Sequence, residues 1–453
     1  MNTRAQKTSY YLCIDLKSFY ASVECVDRRL DPMTTDLVVA DETRTDRTIC
    51  LAVSPSLKAK GVRNRCRLFE VPAQLRAKTI VAQPRMSRYI QKSAEIYGVY
   101  LKWLSPDDIH VYSIDEAFMD VTPYLDLYGC SARELGERIR ADVARTTGIP
   151  ATCGLGTNLY LAKIALDITA KHSPDFFGEL DEQSYRETLW NHQPITDFWR
   201  IGPGIARRLE ALGITTMGQL ALSPTEPIYQ SLGIDAEILI DHAWGIEPVR
   251  ISDIKAYRSQ SHSLSNGQVL SRDYAYEDTL LIAKEMVDVL LEDLVGQGLA
   301  ARSLTLGVGY SASREERAAA REAARGATTG EHGMAWHYGR SFAHGSATFV
   351  THTSSRAEIM GELAKLFPEV VDPMRPVRRV MVSLNDVVPS EASGLQLDLF
   401  ADPEEREREL RRQQAINAVH ERFGKNALLH AMDLLPNATA RERNDQIGGH
   451  RRG

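Results

Sequence analysis

An unbroken apolar run, Tyr10-Tyr11-Leu12-Cys13-Ile14, predicts a short buried strand, and Leu16 to Arg28 then carries Phe19, Val23 and Val26 at helical spacing. Asp15 stands between strand and helix. A second strand pattern, Ile109 to Tyr112, leads into Ser113-Ile114-Asp115-Glu116-Ala117-Phe118-Met119-Asp120-Val121, with apolar residues on both sides of an acidic pair. This predicts a hairpin with carboxylates at its turn. Leu135 to Thr147 reads as an amphipathic helix ended by Gly148-Ile149-Pro150, Ala151 to Leu155 as a strand, and Leu159 to Ala170 as another helix. Strands alternating with helices predict an α/β or α+β layer.

Beyond Ser173-Pro174 the pattern becomes helical, with two short helices expected around a Gly202-Pro203-Gly204 turn. Ile251 to Ala256 reads as a linker. Strand-like runs at Ser303–Tyr310, Ala347–Thr353 and Arg378–Leu384 then alternate with helical patterns at Asp278–Leu294 and Arg356–Leu366, predicting a compact α+β module. Arg314 to Thr329, rich in Ala, Arg, Glu and Gly, reads equally as helix or loop. From Pro389 the chain is polar and charged except for Leu395 to Phe400, the pattern of a tail holding one apolar peptide.

Composition narrows the class. With 453 residues, 43% hydrophobic and 25% charged, the chain has the make-up of an ordinary globular protein of about three domains, which excludes disordered, collagenous and disulfide-scaffold classes. None of the six cysteines forms a C-x-x-C pair, so neither a zinc ribbon nor a disulfide framework is expected, and reduced thiols fit a cytoplasmic location. Met1 to Tyr11 is polar and no run of about eighteen apolar residues occurs, so neither a secretory signal nor a membrane span is expected. A net charge of -6 speaks against a nucleic-acid partner, yet Cys50 to Lys92 holds ten basic residues and one acid, Glu70. The run reads either as a solvated surface or as a polyanion site.

Asp15, Asp115 and Glu116 converge if their strands are neighbours in one sheet. Carboxylates so close repel one another unless cations sit among them, and Mg2+ takes such hard oxygen donors together with substrate phosphates. Two metals in such a cluster serve in-line phosphoryl displacement. From spacing alone, three unrelated surface acids are the reading to prefer.

The surrounding residues resemble a known family. Ile14-Asp15-Leu16-Lys17-Ser18-Phe19-Tyr20-Ala21-Ser22-Val23-Glu24 and Tyr112-Ser113-Ile114-Asp115-Glu116-Ala117-Phe118 are similar to two signature segments of the Y-family (translesion) DNA polymerases. Cys153-Gly154-Leu155-Gly156-Thr157-Asn158, followed by Leu161-Ala162-Lys163-Ile164-Ala165, resembles a third. Order and spacing agree from about Tyr10 to Phe400, and the likeness is to the UmuC-type (ImpB/MucB/SamB) branch. The resemblance implies an α+β multidomain right-hand polymerase: a palm of mixed sheet and helices at 8–25 and 80–172, small fingers at 26–79, a helical thumb with a helix-hairpin-helix at 173–250, an α+β little finger at 256–388, and a tail at 389–453. It implies a DNA-directed DNA polymerase, active as a monomer on primer-template DNA and dNTP, performing low-fidelity synthesis past damaged bases. No second acidic cluster for proofreading is evident.

The same resemblance makes Asp15, Asp115 and Glu116 the ligands of two Mg2+ ions, with the carbonyl of Leu16 completing one site. It places Phe19 and Tyr20 under the incoming nucleotide, Tyr20 as the steric gate against a ribose 2'-hydroxyl. Lys163 is expected on the triphosphate, assisted by backbone N–H groups of Lys17, Ser18 and Phe19 at a helix start. The fingers depart from the family: Pro55 and Lys58 stand where many members carry Tyr and Arg, so Lys58 meets a phosphate without a bidentate fork.

Gly202 and Gly204 resemble the hairpin of a helix-hairpin-helix, whose backbone N–H groups meet a DNA phosphate without reading sequence. Gln396-Leu397-Asp398-Leu399-Phe400 resembles the peptide that docks on a bacterial sliding clamp, and exposed Leu-Leu-Phe in a polar tail needs a partner to bury it. Trp199 and Trp244 are expected in packing, and the irregularly spaced His332, His337, His344 and His352 not in a metal site. Two other readings of the acids stay open: a nucleotidyl cyclase with a palm-like hairpin, and a DNA-binding accessory protein that has lost catalysis.

Overall fold

The computed structural model describes residues 8–43, 45, 47–258, 263–311, 342–391 and 403–453. These form two compact units, one of residues up to 258 together with 450–453, the other of residues 259–449.

In the first unit the apolar run becomes strand β1 (Tyr11–Leu16), buried along its length, and helix α1 (Phe19–Asp27) follows after a two-residue turn. Two small strands, β2 (Leu37–Val39) and β3 (Ala52–Val53), flank a loop, and helix α2 (Pro55–Ala59) starts with proline at its first position, where no N–H is needed. Strand β4 (Ile80–Ala82) completes a three-stranded sheet in the order β3-β2-β4, whose own core includes Val38, Cys50, Val53, Leu57, Cys66 and Leu68. Helix α3 (Met86–Tyr100) leads to the hairpin of β5 (Ile109–Val111) and β6 (Glu116–Asp120). Helix α4 (Ala132–Thr147) begins with a capping box between Ser131 and Glu134 and ends on Gly148 at φ 72, a backbone conformation that glycine adopts without strain. Strand β7 (Ala151–Gly156), helix α5 (Leu159–Ile164) and strand β8 (Phe177–Leu180) then close a five-stranded sheet in the order β5-β6-β1-β7-β8.

Helices α6 (Glu182–Leu189), α7 (Pro203–Glu210), α8 (Met217–Leu222), α9 (Thr225–Leu232) and α10 (Asp235–Trp244) share a separate apolar cluster around Tyr185, Phe198, Leu209 and Leu239. The segment read as a linker is instead helix α11 (Ile251–Ala256), with Ile251 buried against Tyr11, Phe118 and Leu159. Its six residues are too few for periodicity to reveal; burial of one isoleucine by distant residues holds it.

The second unit is a four-stranded antiparallel sheet, β11-β10-β12-β9, formed by β9 (Ser263–Tyr274), β10 (Leu299–Tyr310), β11 (Phe342–Thr353) and β12 (Val377–Asn385). Helices α12 (Tyr276–Gly296) and α13 (Arg356–Val370) join its buried face in one core. Strand β9 was hidden from the sequence pattern by its serines and glycine, which alternate onto the exposed face. Residues 403–449 are folded rather than a tail. Helix α14 (Pro403–Phe423) is almost wholly polar, but the Asn417 side chain donates to the Glu292 carbonyl, and Thr439 and Ala440 donate to the buried Glu285 carboxylate. Buried polar partners carry this docking, so hydrophobic patterning is blind to it.

Candidate active site

The antiparallel pairing of β1 with β6 sets Asp15 directly opposite Glu116, and the Leu16 N–H donates to the Asp115 carbonyl at 2.9 Å. Residues a hundred positions apart in the chain are thus neighbours at one end of the sheet. Asp115 sits in the hairpin turn, its Oδ1 accepting from Ser113 Oγ at 2.6 Å. Glu116 Oε1 accepts from the Cys13 thiol at 3.1 Å and pairs with Lys163 Nζ at 2.7 Å. Burial, and then the charges of Asp115 and Glu116, push the Asp15 carboxyl up to about 7.

Among the described residues no three carboxylate, histidine or cysteine side chains close into a ready-made metal cage. The donor set still fits a hard divalent cation in kind: three carboxylates, with burial first and then the charges of Asp115 and Glu116 raising the Asp15 pKa, and with the contacts of Glu116 to Cys13 and Lys163 both made through its Oε1. His344 is exposed and His352 lies 3.5 Å from Asp386, so neither joins such a set; His332 and His337 lie outside the described residues.

Lys163, expected on the triphosphate, lies among the acids. Its ammonium also pairs with Asp167 at 3.0 Å, and its side chain is only 8% exposed. Burial opposes the charge, but Cys13, Asp167 and Glu116 outweigh it and hold the lysine above its ordinary range. It balances two carboxylates from a buried position. Its position comes from an unusually close approach of helix and strand: a Cβ on Gly154 or Gly156 would stand 2.3 or 2.2 Å from backbone atoms around Ala162. The helix then opens into a π-turn over Ala165–Thr169, a feature frequent at functional sites.

Besides Lys163, two further lysines feel the charge of Asp15. Lys17 is pulled down to about 8, by desolvation and then by Lys58, Arg140 and Lys171, against the attraction of Asp15. Lys58 is lowered by desolvation and by Lys171, against Asp15 and Asp115. Lys17 and Lys58, each lowered first by desolvation and further by the neighbouring Lys171 charge, form a cationic cluster of the kind that a polyphosphate suits. Lys171, 63% exposed in its side chain, is the residue that sequence reading missed; its signal lay eight positions past Lys163, where helical continuation was not followed. The Lys17 backbone N–H donates to Pro150 at 2.9 Å and is therefore taken, while Ser18 precedes α1 at φ 47.

Phe19, expected beside a nucleotide, is a core residue at 2% exposure, whereas Tyr20 is half-buried. Burial raises the Tyr20 hydroxyl, as does Asp115, with Arg65 opposing. The basic run is partly neutralised within the fold: Lys60 pairs with Asp36, Arg85 with Glu24 and Asp27, Arg88 with Asp27 and Glu95, and Lys92 with Glu95. Gly202 precedes α7 and has open space where a Cβ would stand, as has Gly204. Trp199 and Trp244 pack at the edge of the α6–α10 cluster, as expected. The peptide 396–400 lies outside the described residues.

A five-stranded sheet with acids at one end, a small three-stranded subdomain, a helical subdomain and a distinct α+β module compose the architecture of a right-hand polymerase of the Y type. Residues 14–167 match the impB/mucB/samB family, and residues 261–399 match its C-terminal domain. The chain is 30% identical over 443 residues to the Bacillus subtilis (strain 168) protein UvrX, named for UV-damage repair, with 97% of each chain covered. It is 30% identical over 447 residues to DNA polymerase IV 2 of the same organism, covering 98% of this chain and 99% of that one. A solved Y-family DNA polymerase chimera of Dbh and Dpo4 shares the fold, with a TM-score of 0.61 at 20% identity over 84% of this chain and 99% of the other. The chain belongs to the impB/mucB/samB family, the Y-family of translesion DNA polymerases. Membership implies dependence on a divalent metal and action on DNA and deoxynucleotides; the cyclase and the inactive accessory protein find no support. No helix among the described residues is long and apolar enough to cross a membrane.

Proposed function

We propose that this protein extends a primer across damaged template bases, as a cytoplasmic monomer, with two Mg2+ ions held by Asp15, the Leu16 carbonyl, Asp115 and Glu116. The observation that carries this reading is the register of β1 on β6, which sets Asp15 opposite Glu116 beside the turn bearing Asp115. When bound, the metals supply charge stabilisation for the attacking 3'-oxygen and the departing pyrophosphate. The chain's own residues do the rest. Lys17, Lys58 and Lys171 hold the triphosphate, Tyr20 stands against the sugar, and Lys163 fixes the position of the Glu116 carboxylate through their ion pair. Gly202 and Gly204 let a DNA phosphate approach the start of α7. The palm is taken as 8–25 and 80–172, the fingers as 26–79, the thumb as 173–250 and the little finger as 256–388; the sheets argue for two shifts, since β4 (Ile80–Ala82) completes the small three-stranded sheet and β8 (Phe177–Leu180) the five-stranded one.

Primer extension over a template carrying one abasic site is the deciding measurement. In Mg2+ the protein is expected to insert opposite the lesion and continue; arrest one position before it, with normal copying of the undamaged template, would contradict the translesion reading.

The lysines are separable by kinetics. Lys171→Ala and Lys58→Ala are each expected to raise the KM for dNTP about tenfold, the worth of one charged hydrogen bond. Lys163→Met should instead lower the melting temperature, since it leaves the buried Glu116 carboxylate without its ion pair and removes one partner of Asp167. A tenfold KM effect confined to Lys163 would return that residue to the triphosphate.

Leu397, Leu399 and Phe400 are proposed to dock in an apolar groove of a sliding clamp. Burying two or three such side chains contributes about 1.5 to 3 kcal/mol each before ordering costs, so affinity is moderate and tethering does the work. Replacing Leu399 and Phe400 by alanine should abolish clamp-stimulated long extension while leaving single insertions on short primers intact. Undiminished stimulation would place the docking site elsewhere.

A further inference from the structure

Tyr20 has a wall behind it. Its ring stacks on that of Tyr89 with centroids 4.3 Å apart and an interplanar angle of 15°, so one face of Tyr20 is covered and the ring cannot retreat in that direction. Tyr89 is itself immobilised. It is fully buried, and its hydroxyl donates to Glu24 Oε1 at 2.8 Å. Glu24, also fully buried, is held by Arg85 through two hydrogen bonds, Nε to Oε1 at 2.9 Å and Nη2 to Oε2 at 3.0 Å, and by Arg28 from the next turn of α1. Arg85 is anchored a second time on Asp27 at 2.7 Å. A bidentate, fully desolvated carboxylate is a costly way to fill a core, where an apolar side chain of similar size serves as well or better for stability. What such a pair provides is a fixed position, here for the ring it holds.

We propose that Tyr89, held by Glu24 and Arg85, is a positioning residue that sets how far Tyr20 stands from the nucleotide sugar, and so sets the discrimination between deoxyribonucleotides and ribonucleotides. This rests on Tyr20 being the gate. Steric exclusion of one hydroxyl turns on the distance between a ring and a sugar carbon, so a gate that could rock backward would admit the ribose. The stack with Tyr89 removes that freedom, and the ion pair behind Tyr89 keeps the stack from slipping.

The test is the ratio of rNTP to dNTP incorporation efficiency on one undamaged primer-template, measured for the full chain and for Tyr89→Leu, Tyr89→Phe, Tyr20→Ala and the Tyr20→Ala/Tyr89→Leu double variant. Tyr89→Leu is expected to raise the ratio about three- to tenfold, the range that loss of one stacked aromatic contact spans. Tyr89→Phe keeps the ring but loses the hydroxyl that Glu24 holds, so it should raise the ratio less than Tyr89→Leu does, about two- to threefold. In the Tyr20→Ala background Tyr89→Leu should add nothing, because the wall acts only through the gate. A parent-like ratio in Tyr89→Leu, with a raised ratio in Tyr20→Ala, overturns the proposal and leaves the gate standing. An additive effect in the double variant also overturns it, since Tyr89 would then act elsewhere. No change in Tyr20→Ala removes the gate itself. Should thermal melting show Tyr89→Leu unfolded, Tyr89→Met, which fills the space without a ring, carries the same expectation.

Discussion

Replacing Glu116 or Asp15 by alanine is expected to reduce primer extension at least about a hundred- to a thousandfold, the scale of losing one charge-stabilising element of a transition state, while DNA binding is largely kept. The loss should fall on kcat, because these groups act on charge that develops as the phosphoryl group moves, whereas DNA is held through phosphates elsewhere. Glu116→Ala leaves Lys163 paired with Asp167, so the buried ammonium keeps a partner and the fold survives. Asp15→Asn adds a second readout in metal-free protein. The Asp15 carboxyl is raised from 3.8 to about 7 on folding, so its ionisation lowers stability as pH climbs through that interval. The neutral asparagine removes this loss, and the variant should melt a few degrees higher than the parent at neutral pH, with the difference vanishing near pH 4. Full extension by either alanine variant would dissolve the metal assignment; equal melting at pH 7 would mean that burial and the neighbouring carboxylates do not disfavour the Asp15 charge.

The second large effect is expected at Tyr20. Alanine there leaves the space of a phenol ring open beside the sugar, and ribonucleotide incorporation relative to deoxyribonucleotide should rise about ten- to a hundredfold, the span over which a pocket can reject one added hydroxyl. Deoxynucleotide insertion itself should fall less, since Lys17, Lys58 and Lys171 still face the polyphosphate. An unchanged ratio would move the gate to another side chain.

How much of this was legible differs from residue to residue. The strand ending at Asp15, the hairpin bearing Asp115 and Glu116, and helix α4 with its capping box were readable because each is specified by residues within one or two turns of itself. Lys163 was identified as important but assigned outward, since a sequence states that a lysine follows a strand and not that two glycines draw its helix onto that strand and bury it among carboxylates. Helix α11 and residues 403–449 were misread for a related reason: one buried isoleucine, or a glutamate accepting from three donors, leaves no periodic trace.

By itself, then, the sequence determined the order of strands and helices around the acids, the charge of the Cys50–Lys92 run and the local segments whose resemblance names the family. These are properties of short stretches, in which side-chain periodicity and backbone conformation are set by near neighbours. Only the tertiary structure decided that Asp15 faces Glu116, that Lys163 is buried in an ion pair with Glu116 while Lys171 is exposed, that Phe19 is core and Tyr20 is not, and that Tyr89 backs Tyr20. Each of these depends on which segments pair and how closely they pack. The free energy that selects such pairings comes from burial and desolvation shared among residues far apart in the chain, and no local pattern records it.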